Sequence, residues 1–229
     1  MNGCIIYGGS FNPVHIGHLR LAVEASSRLA NSADRLEFVP TARHPQKNSH
    51  MLLPIALRME LIEASIRDMP GTFCNGLEED RSQISYTIDT LKDYLRNWQP
   101  RQLYFLLGSQ DYELFHTWRQ WQKIAQLCNL LIVPRGDFTR ADFERTTRMY
   151  WPQARPENFA GAKEPNLCMT LPASTRAIFL PVQWLPISSS WIRELWLNNE
   201  NPLWLLPPAA LEILKKNSDR VNACWNIKE

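Results

Sequence analysis

Glycine is scarce in this chain. There are nine in 229 residues, about half the share of roughly 7% usual for proteins. Charge of one sign is lacking too: 25 basic and 23 acidic residues leave a net charge of +2. That balance provides no strong electrostatic footprint for nucleic acid or an anionic membrane, so neither is expected as a partner. No apolar run approaches the roughly 20 residues of a membrane-spanning helix. The five cysteines, at 4, 74, 128, 168 and 224, are odd in number, widely spaced and without a CxxC. They indicate neither a disulfide framework nor a zinc site, and read as buried free thiols of a reducing cytoplasm. The opening MNGCIIYGGS has neither a basic n-region nor a long apolar stretch, so no secretory signal is read and a cytoplasmic location is expected. There is no internal repeat and no low-complexity tract.

What glycine there is has been concentrated. Gly3, Gly8, Gly9 and Gly17 are four of the nine, so the N-terminus is where backbone must bend or come close to something. Gly3 reads as a strand start. Cys4–Tyr7 reads as a buried strand and His18–Leu29 as a helix. The alternation continues with a strand at Arg35–Val39, a helix at Ile55–Ile66, a short strand at Thr72–Asn75 and a helix at Ser85–Trp98 with Ser85 as N-cap. A buried strand at Gln102–Leu107, a helix at Trp118–Leu127 and a strand at Asn129–Val133 follow. Alternating strands and helices predict an α/β fold with a doubly wound, mostly parallel sheet. The chain is expected to form a single domain over 1–229. An irregular excursion at about 136–186 holds six of the 16 prolines, a helix near Arg140–Tyr150 and a last strand at Ala177–Leu180. Closing helices at Ser188–Leu197 and Pro208–Lys216 complete it, the first capped by Ser188. Whether the excursion is a subdomain, a lid or an interface is left open, as is a homo-oligomeric state.

The segment Gly8-Gly9-Ser10-Phe11-Asn12-Pro13-Val14-His15-Ile16-Gly17-His18 joins the first strand to the first helix. In an open α/β sheet, ligands bind at such turns, beyond the carboxyl ends of strands. The two glycines let N–H groups face a ligand, and the helix start adds orphan donors and a positive dipole end, together a phosphate site. His15 and His18, at i and i+3, point at one place, with Gly17 leaving room between them. Each can donate to a phosphoryl oxygen, the paired-donor arrangement that phosphoryl and nucleotidyl transfer use. Two histidines at this spacing can also bind a metal. A second helix start, Ile187-Ser188-Ser189-Ser190-Trp191-Ile192-Arg193, offers amide donors and an arginine able to grip two oxygens.

GGSFNPVHIGH resembles the N-terminal signature of the HxGH nucleotidyltransferase superfamily, whose fold is a Rossmann-like sheet with C-terminal helices. The HxGH spelling is shared with class I aminoacyl-tRNA synthetases, but the chain is short for one and none of its seven lysines lies in a KMSKS-like stretch. The ISSSWIR run is similar to that superfamily's ISSTxIR, which binds the ATP triphosphate, and so implies roles for Ser188, Ser190 and Arg193. Nearly the whole chain, from Ile5 to about Leu214, resembles the bacterial nicotinate-nucleotide adenylyltransferases. Val39–Lys47 resembles that family's proline-rich loop ending in PPHK, with Gln46 where the family has His, and implies Lys47 at the ATP phosphates. Ile84–Leu91 resembles its SYTxxTL segment. In physical terms, Ser85, Tyr86 and Thr87 form a helix N-terminus whose amide donors suit a carboxylate better than a carboxamide.

The resemblance also places Trp118, ten residues after Gly108, as the ring on which the acceptor's pyridinium stacks, with cation–π attraction. Trp121, one turn on, is the alternative of a mere core tryptophan. Leu107-Gly108-Ser109-Gln110-Asp111 resembles the family's GxD with the acid one position late, so either Gln110 or Asp111 contacts ribose. Arg135 matches an arginine beside the adenosine site. ATP contacts are therefore expected from Gly8, Gly9, Ser10, Phe11, His15, His18, Lys47, Arg135, Ser188, Ser190 and Arg193. Mononucleotide contacts are expected from Ser85, Tyr86, Thr87, Gly108, Gln110, Asp111 and Trp118. Catalysis falls to His15, His18, Arg193 and Lys47. The implied reaction takes ATP and nicotinic acid mononucleotide to deamido-NAD and pyrophosphate. Mg2+ is carried by the ATP phosphates rather than by a protein metal site. Rivals are nicotinamide mononucleotide as acceptor, phosphopantetheine as a more distant acceptor, and a non-catalytic nucleotide sensor on the same fold.

Overall fold

A computed structural model describes residues 3–43, 51–81, 84–158 and 168–226. Along the chain run β1 (Gly3–Gly9), α1 (Ile16–Arg28), β2 (Arg35–Pro40), α2 (Ile55–Ile66), β3 (Thr72–Cys74) and α3 (Thr87–Trp98). Next come β4 (Gln102–Gly108), α4 (Ser109–Glu113), α5 (Trp121–Leu127), β5 (Asn129–Val133), α6 (Arg140–Tyr150), β6 (Pro156–Glu157), β7 (Cys168–Thr170) and β8 (Arg176–Phe179). Three helices close the described chain: α7 (Ser189–Leu197), α8 (Pro208–Lys216) and α9 (Ser218–Trp225).

The strands form one sheet in the order β3-β2-β1-β4-β5-β8-β7-β6. All pairings from β3 to β8 are parallel, and β7 and β6 add an antiparallel edge. A mostly parallel sheet must be covered on both faces, and β1 shows this residue by residue. Ile5 and Tyr7 join a core with α1, α2, α8 and α9 residues, whereas Cys4 and Ile6 join another with α3, α5 and α6 residues. The chain leaves β1 for β2 on one side, yet β4 pairs with β1 on the other. The carboxyl ends of β1 and β4 thus flank the point where strand order reverses, the usual ligand crevice of open α/β sheets.

Several boundaries differ from the sequence expectation, each for a local reason. Gly3 is more than a strand start: a Cβ there would stand 2.2 Å from the Ser32 carbonyl oxygen, so only glycine lets β1 pass beneath the α1–β2 turn. Helix α1 starts at Ile16, ahead of His18. Helix α3 starts at Thr87, and Ser85 is not its cap. The Ser85 N–H instead donates to the Arg43 carbonyl at 3.1 Å, and Tyr86, with extended backbone, is the N-cap. Trp118 is not helical: it ends a 3-10 turn at Phe115–Thr117, and left-handed Gln120 (φ 55°) delays α5 to Trp121. Ser188 does cap α7, accepting from the Trp191 N–H at 3.1 Å. The described part of the proline-rich excursion carries α6 and the three strands β6–β8, two of them unread in the sequence because they are only two and three residues long.

Candidate active site

At the carboxyl ends of β1 and β4 lies a cavity of about 930 Å3. It gathers segments far apart in sequence: residues 7–12 with His15 and His18, then Gly108, Gln110, Asp111, Trp118 and Arg135, and residues 186–190 with Arg193. Every expected ATP contact among the described residues, Gly8, Gly9, Ser10, Phe11, His15, His18, Arg135, Ser188, Ser190 and Arg193, lines it. So do Gly108, Gln110, Asp111 and Trp118 of the expected mononucleotide set. Ser85, Tyr86 and Thr87 do not. Lys47 and Gln46 lie outside the described residues.

The two histidines occupy the first turn of α1 with their rings stacked, centroids 3.6 Å apart and planes 29° apart. His15 is 4% exposed, and burial, reinforced by the Arg135 charge, pulls its pKa down to about 3. It is therefore a neutral imidazole at physiological pH, which removes the repulsion two stacked imidazolium ions would suffer. The His15 N–H donates to His18 Nδ1 at 3.2 Å. With Nδ1 accepting, the proton of a neutral His18 ring sits on Nε2. His15 Nδ1 is buried without a hydrogen-bond partner among the described residues, the kind of orphan that a ligand satisfies. Gly17 leaves room for this packing. A Cβ there would lie 3.0 Å from both Cε1 and Nδ1 of His15.

The serine–arginine helix is tied directly to the histidine loop. Arg193 donates from one guanidinium nitrogen to the Asn12 carbonyl at 2.9 Å and from the other to Ser190 Oγ at 3.1 Å. Ser189 Oγ donates to the Pro13 carbonyl at 2.9 Å. Burial lowers the Arg193 pKa, and its Nε is buried without a partner among the described residues. Arg135 Nε is orphaned in the same way. Two guanidinium groups with unspent donors thus face one cavity, a composition suited to a polyanion. Phe11 lines the cavity only marginally. Its ring is 2% exposed and packs edge-on against Tyr7 and His18, supporting the loop from within.

At the other end, the Trp118 ring leans on Phe105 and Phe115 (centroids 6.0 and 5.5 Å) while remaining part of the cavity wall. Trp121 packs instead against Tyr150 and Trp151, the core alternative noted for it. Gln110 and Asp111 both stand exposed at the start of α4, so both reach the cavity. The head of α3 has two neighbours outside the cavity wall. Arg43, the last described residue before 44–50, accepts from the Ser85 N–H, and the Arg119 guanidinium lies 4.6 Å over the Tyr86 ring.

One residue of evident importance was not singled out in the sequence. Asn12, 4% exposed, accepts at Oδ1 from the Leu53 N–H (3.0 Å) and from Trp225 Nε1 (3.4 Å), and donates from Nδ2 to the Met51 carbonyl (2.8 Å). With Arg193 on its carbonyl, it joins the loop, the segment before α2, α7 and α9. Its place inside the GGSFNP run was the available signal.

The sequence pattern of the Cytidylyltransferase-like family matches residues 6–195. The chain is similar to a probable nicotinate-nucleotide adenylyltransferase of Citrifermentans bemidjiense, 33% identical over 226 residues, covering 95% of this chain and 98% of that one. It is similar to another from Maridesulfovibrio salexigens, 27% identical, covering 96% and 98%. Among solved structures, it resembles Plasmodium falciparum nicotinic acid mononucleotide adenylyltransferase complexed with NaAD, with a TM-score of 0.69, 18% identity and coverage of 96% and 98%.

Proposed function

The chain belongs to the nicotinate-nucleotide adenylyltransferases of the Cytidylyltransferase-like family, and from this we propose how it moves the adenylyl group of ATP to nicotinic acid mononucleotide, releasing pyrophosphate. The observation that carries the reading is the convergence of the stacked His15–His18 pair and Arg193 on one cavity, tied through the Asn12 carbonyl. The acceptor's phosphate carries about −1.5 to −2 charge at neutral pH and needs no general base. Its oxygen bonds to the α-phosphorus as the α–β bridging bond breaks and pyrophosphate departs. The protein's task is to hold two anions together and meet the charge at the α-phosphorus.

In this reading the His18 Nε2–H donates to an α-phosphate oxygen, and His15, neutral and buried, fixes the ring beside it. Ser188, Ser190, Arg193 and Lys47 hold the β- and γ-phosphates, and Arg135 faces the adenylate. Trp118 takes the pyridinium face, worth roughly 1–2 kcal/mol when desolvated. The resemblance assigns the carboxylate to amide donors of Tyr86 and Thr87, which stand outside the cavity wall, and Gln110 and Asp111 serve the ribose. Asp111 is the one carboxylate among the described lining residues, beside cationic Arg135 and Arg193. That donor set suits Mg2+ carried on the triphosphate oxygens rather than caged by protein. The ion would neutralise phosphate charge there. The buried thiols Cys4, Cys128 and Cys168, all raised in pKa by burial, support a cytoplasmic setting.

The test is pyrophosphate release from ATP with each acceptor in turn. Release with nicotinic acid mononucleotide, and far less with nicotinamide mononucleotide, is expected. Preference for the amide would assign the rival acceptor. No release with any acceptor, alongside tight ATP binding, would make the protein a sensor.

A further inference from the structure

Arg58, on α2, is 1% exposed and does not line the cavity. Its Nε donates to the Leu53 carbonyl and one terminal nitrogen donates to the Ser10 carbonyl, each at 2.8 Å. Among the described residues no carboxylate stands within ion-pair distance of it. Glu78 acts on it electrostatically but is itself engaged by the Ala42 N–H and the Thr90 hydroxyl. A buried guanidinium without a carboxylate partner is costly. Burial lowers its pKa to about 10, so it remains a cation at neutral pH.

The loop it grips is a strained one. Phe11, next to Ser10, has φ 45°, a left-handed conformation that bulky residues rarely adopt. Such a conformation persists only where its surroundings over-determine it. Here the Phe11 ring is wedged against Tyr7 and His18, and the carbonyl before it is held by Arg58. Asn12, after it, is bonded to Met51 and Leu53. The turn from Ser10 to Asn12 is thus stapled to residues 51–53 at both ends.

We propose that Arg58 is a positioning residue for the ATP triphosphate. It keeps the Ser10 carbonyl turned into the protein, so that the loop's N–H groups face the phosphates, and it sets a positive charge with no ion-pair partner among the described residues behind that loop. The role rests on the adenylyl-transfer reading but acts on the ATP side alone. It predicts that Arg58→Lys, which retains the charge and one bond, folds with a Tm near wild type. Its kcat should fall about 10- to 100-fold, the scale expected when reacting groups are misplaced by around an ångström. The ATP KM should rise while the mononucleotide KM stays within about two-fold of wild type. Arg58→Met, lacking both charge and bonds, should weaken ATP further. The experiment combines steady-state kinetics against each substrate, thermal melting, and ATP titration by calorimetry without acceptor. The titration needs no turnover, so it tests Arg58 even if no acceptor supports release and the functional reading falls. Wild-type kinetics and ATP affinity in Arg58→Lys would overturn the proposal. So would equal rises in both KM values, or failure of both variants to fold, which would assign Arg58 to stability alone.

Discussion

Gly17→Ala sets local stability against catalysis at a single atom. Gly17 is the second residue of α1, where alanine is favoured over glycine by roughly 0.5–1 kcal/mol. The new Cβ would sit 3.0 Å from Cε1 and Nδ1 of His15, whereas carbon contacts settle at about 3.5–4.0 Å. The ring must therefore yield by about half an ångström. It is stacked on the His18 ring at 3.6 Å, so moving it disturbs that stack or takes it out of its rotamer. An off-rotamer shift of this kind costs about 0.5–1.5 kcal/mol, which nearly cancels the helical gain. Stability should change by less than about 1 kcal/mol, or a Tm shift of roughly 2–4 °C at most for a domain of this size. Catalysis has no such compensation. If a 1 Å misplacement costs about 100-fold, half of that costs about 10-fold in kcat. Pyrophosphate release at saturating ATP and acceptor, measured beside a calorimetric melt, checks both numbers. Wild-type kcat with an unchanged Tm would refute the claim that Gly17 sets the histidine geometry.

His18→Ala should lower kcat by about 100-fold or more with little change in ATP affinity, since a donor made for the transition state contributes little to the ground state. Comparing turnover with calorimetric ATP binding decides it, and near wild-type kcat removes His18 from the mechanism. Trp118→Ala should raise the mononucleotide KM while leaving that of ATP nearly unchanged; equal effects on both would make Trp118 structural. Stability should also depend on pH through His15. Its folded pKa of about 3 lies below the unfolded value near 6.5, so the unfolded chain binds the extra proton in that window. The contribution is fully present above pH 6.5 and is lost on acidification at up to about 1.4 kcal/mol per pH unit. Urea midpoints should rise from pH 5 through 6 to 7 for wild type and flatten for His15→Gln; parallel curves would show that His15 is not the group responsible.

Much of this protein was legible because its signals are local. Apolar runs such as Leu103–Leu107 can hardly be anything but strands buried on both faces, and a strand followed by GGSFNPVHIGH places a phosphate loop within a few residues. Helix boundaries were less legible where backbone geometry is imposed from outside. Ser85 looks like a cap, but the Arg43 carbonyl holds its N–H. Trp118 looks helical, but Gln120 turns left-handed just after it. The acceptor end was read only through resemblance, and Ser85–Thr87 stand outside the cavity wall that Trp118 helps to form.

By itself, then, the sequence determined the alternating α/β plan, the glycine-framed loop and the chemical kind of each motif, because residue type and spacing act over a few residues. Only the tertiary structure decided that Arg193 meets the Asn12 carbonyl, that Gly3 is demanded by Ser32, and that a buried Arg58 grips the loop from behind. Those facts depend on the tertiary fold, which brings residues up to 213 positions apart within hydrogen-bond reach, and no local pattern encodes such a distance.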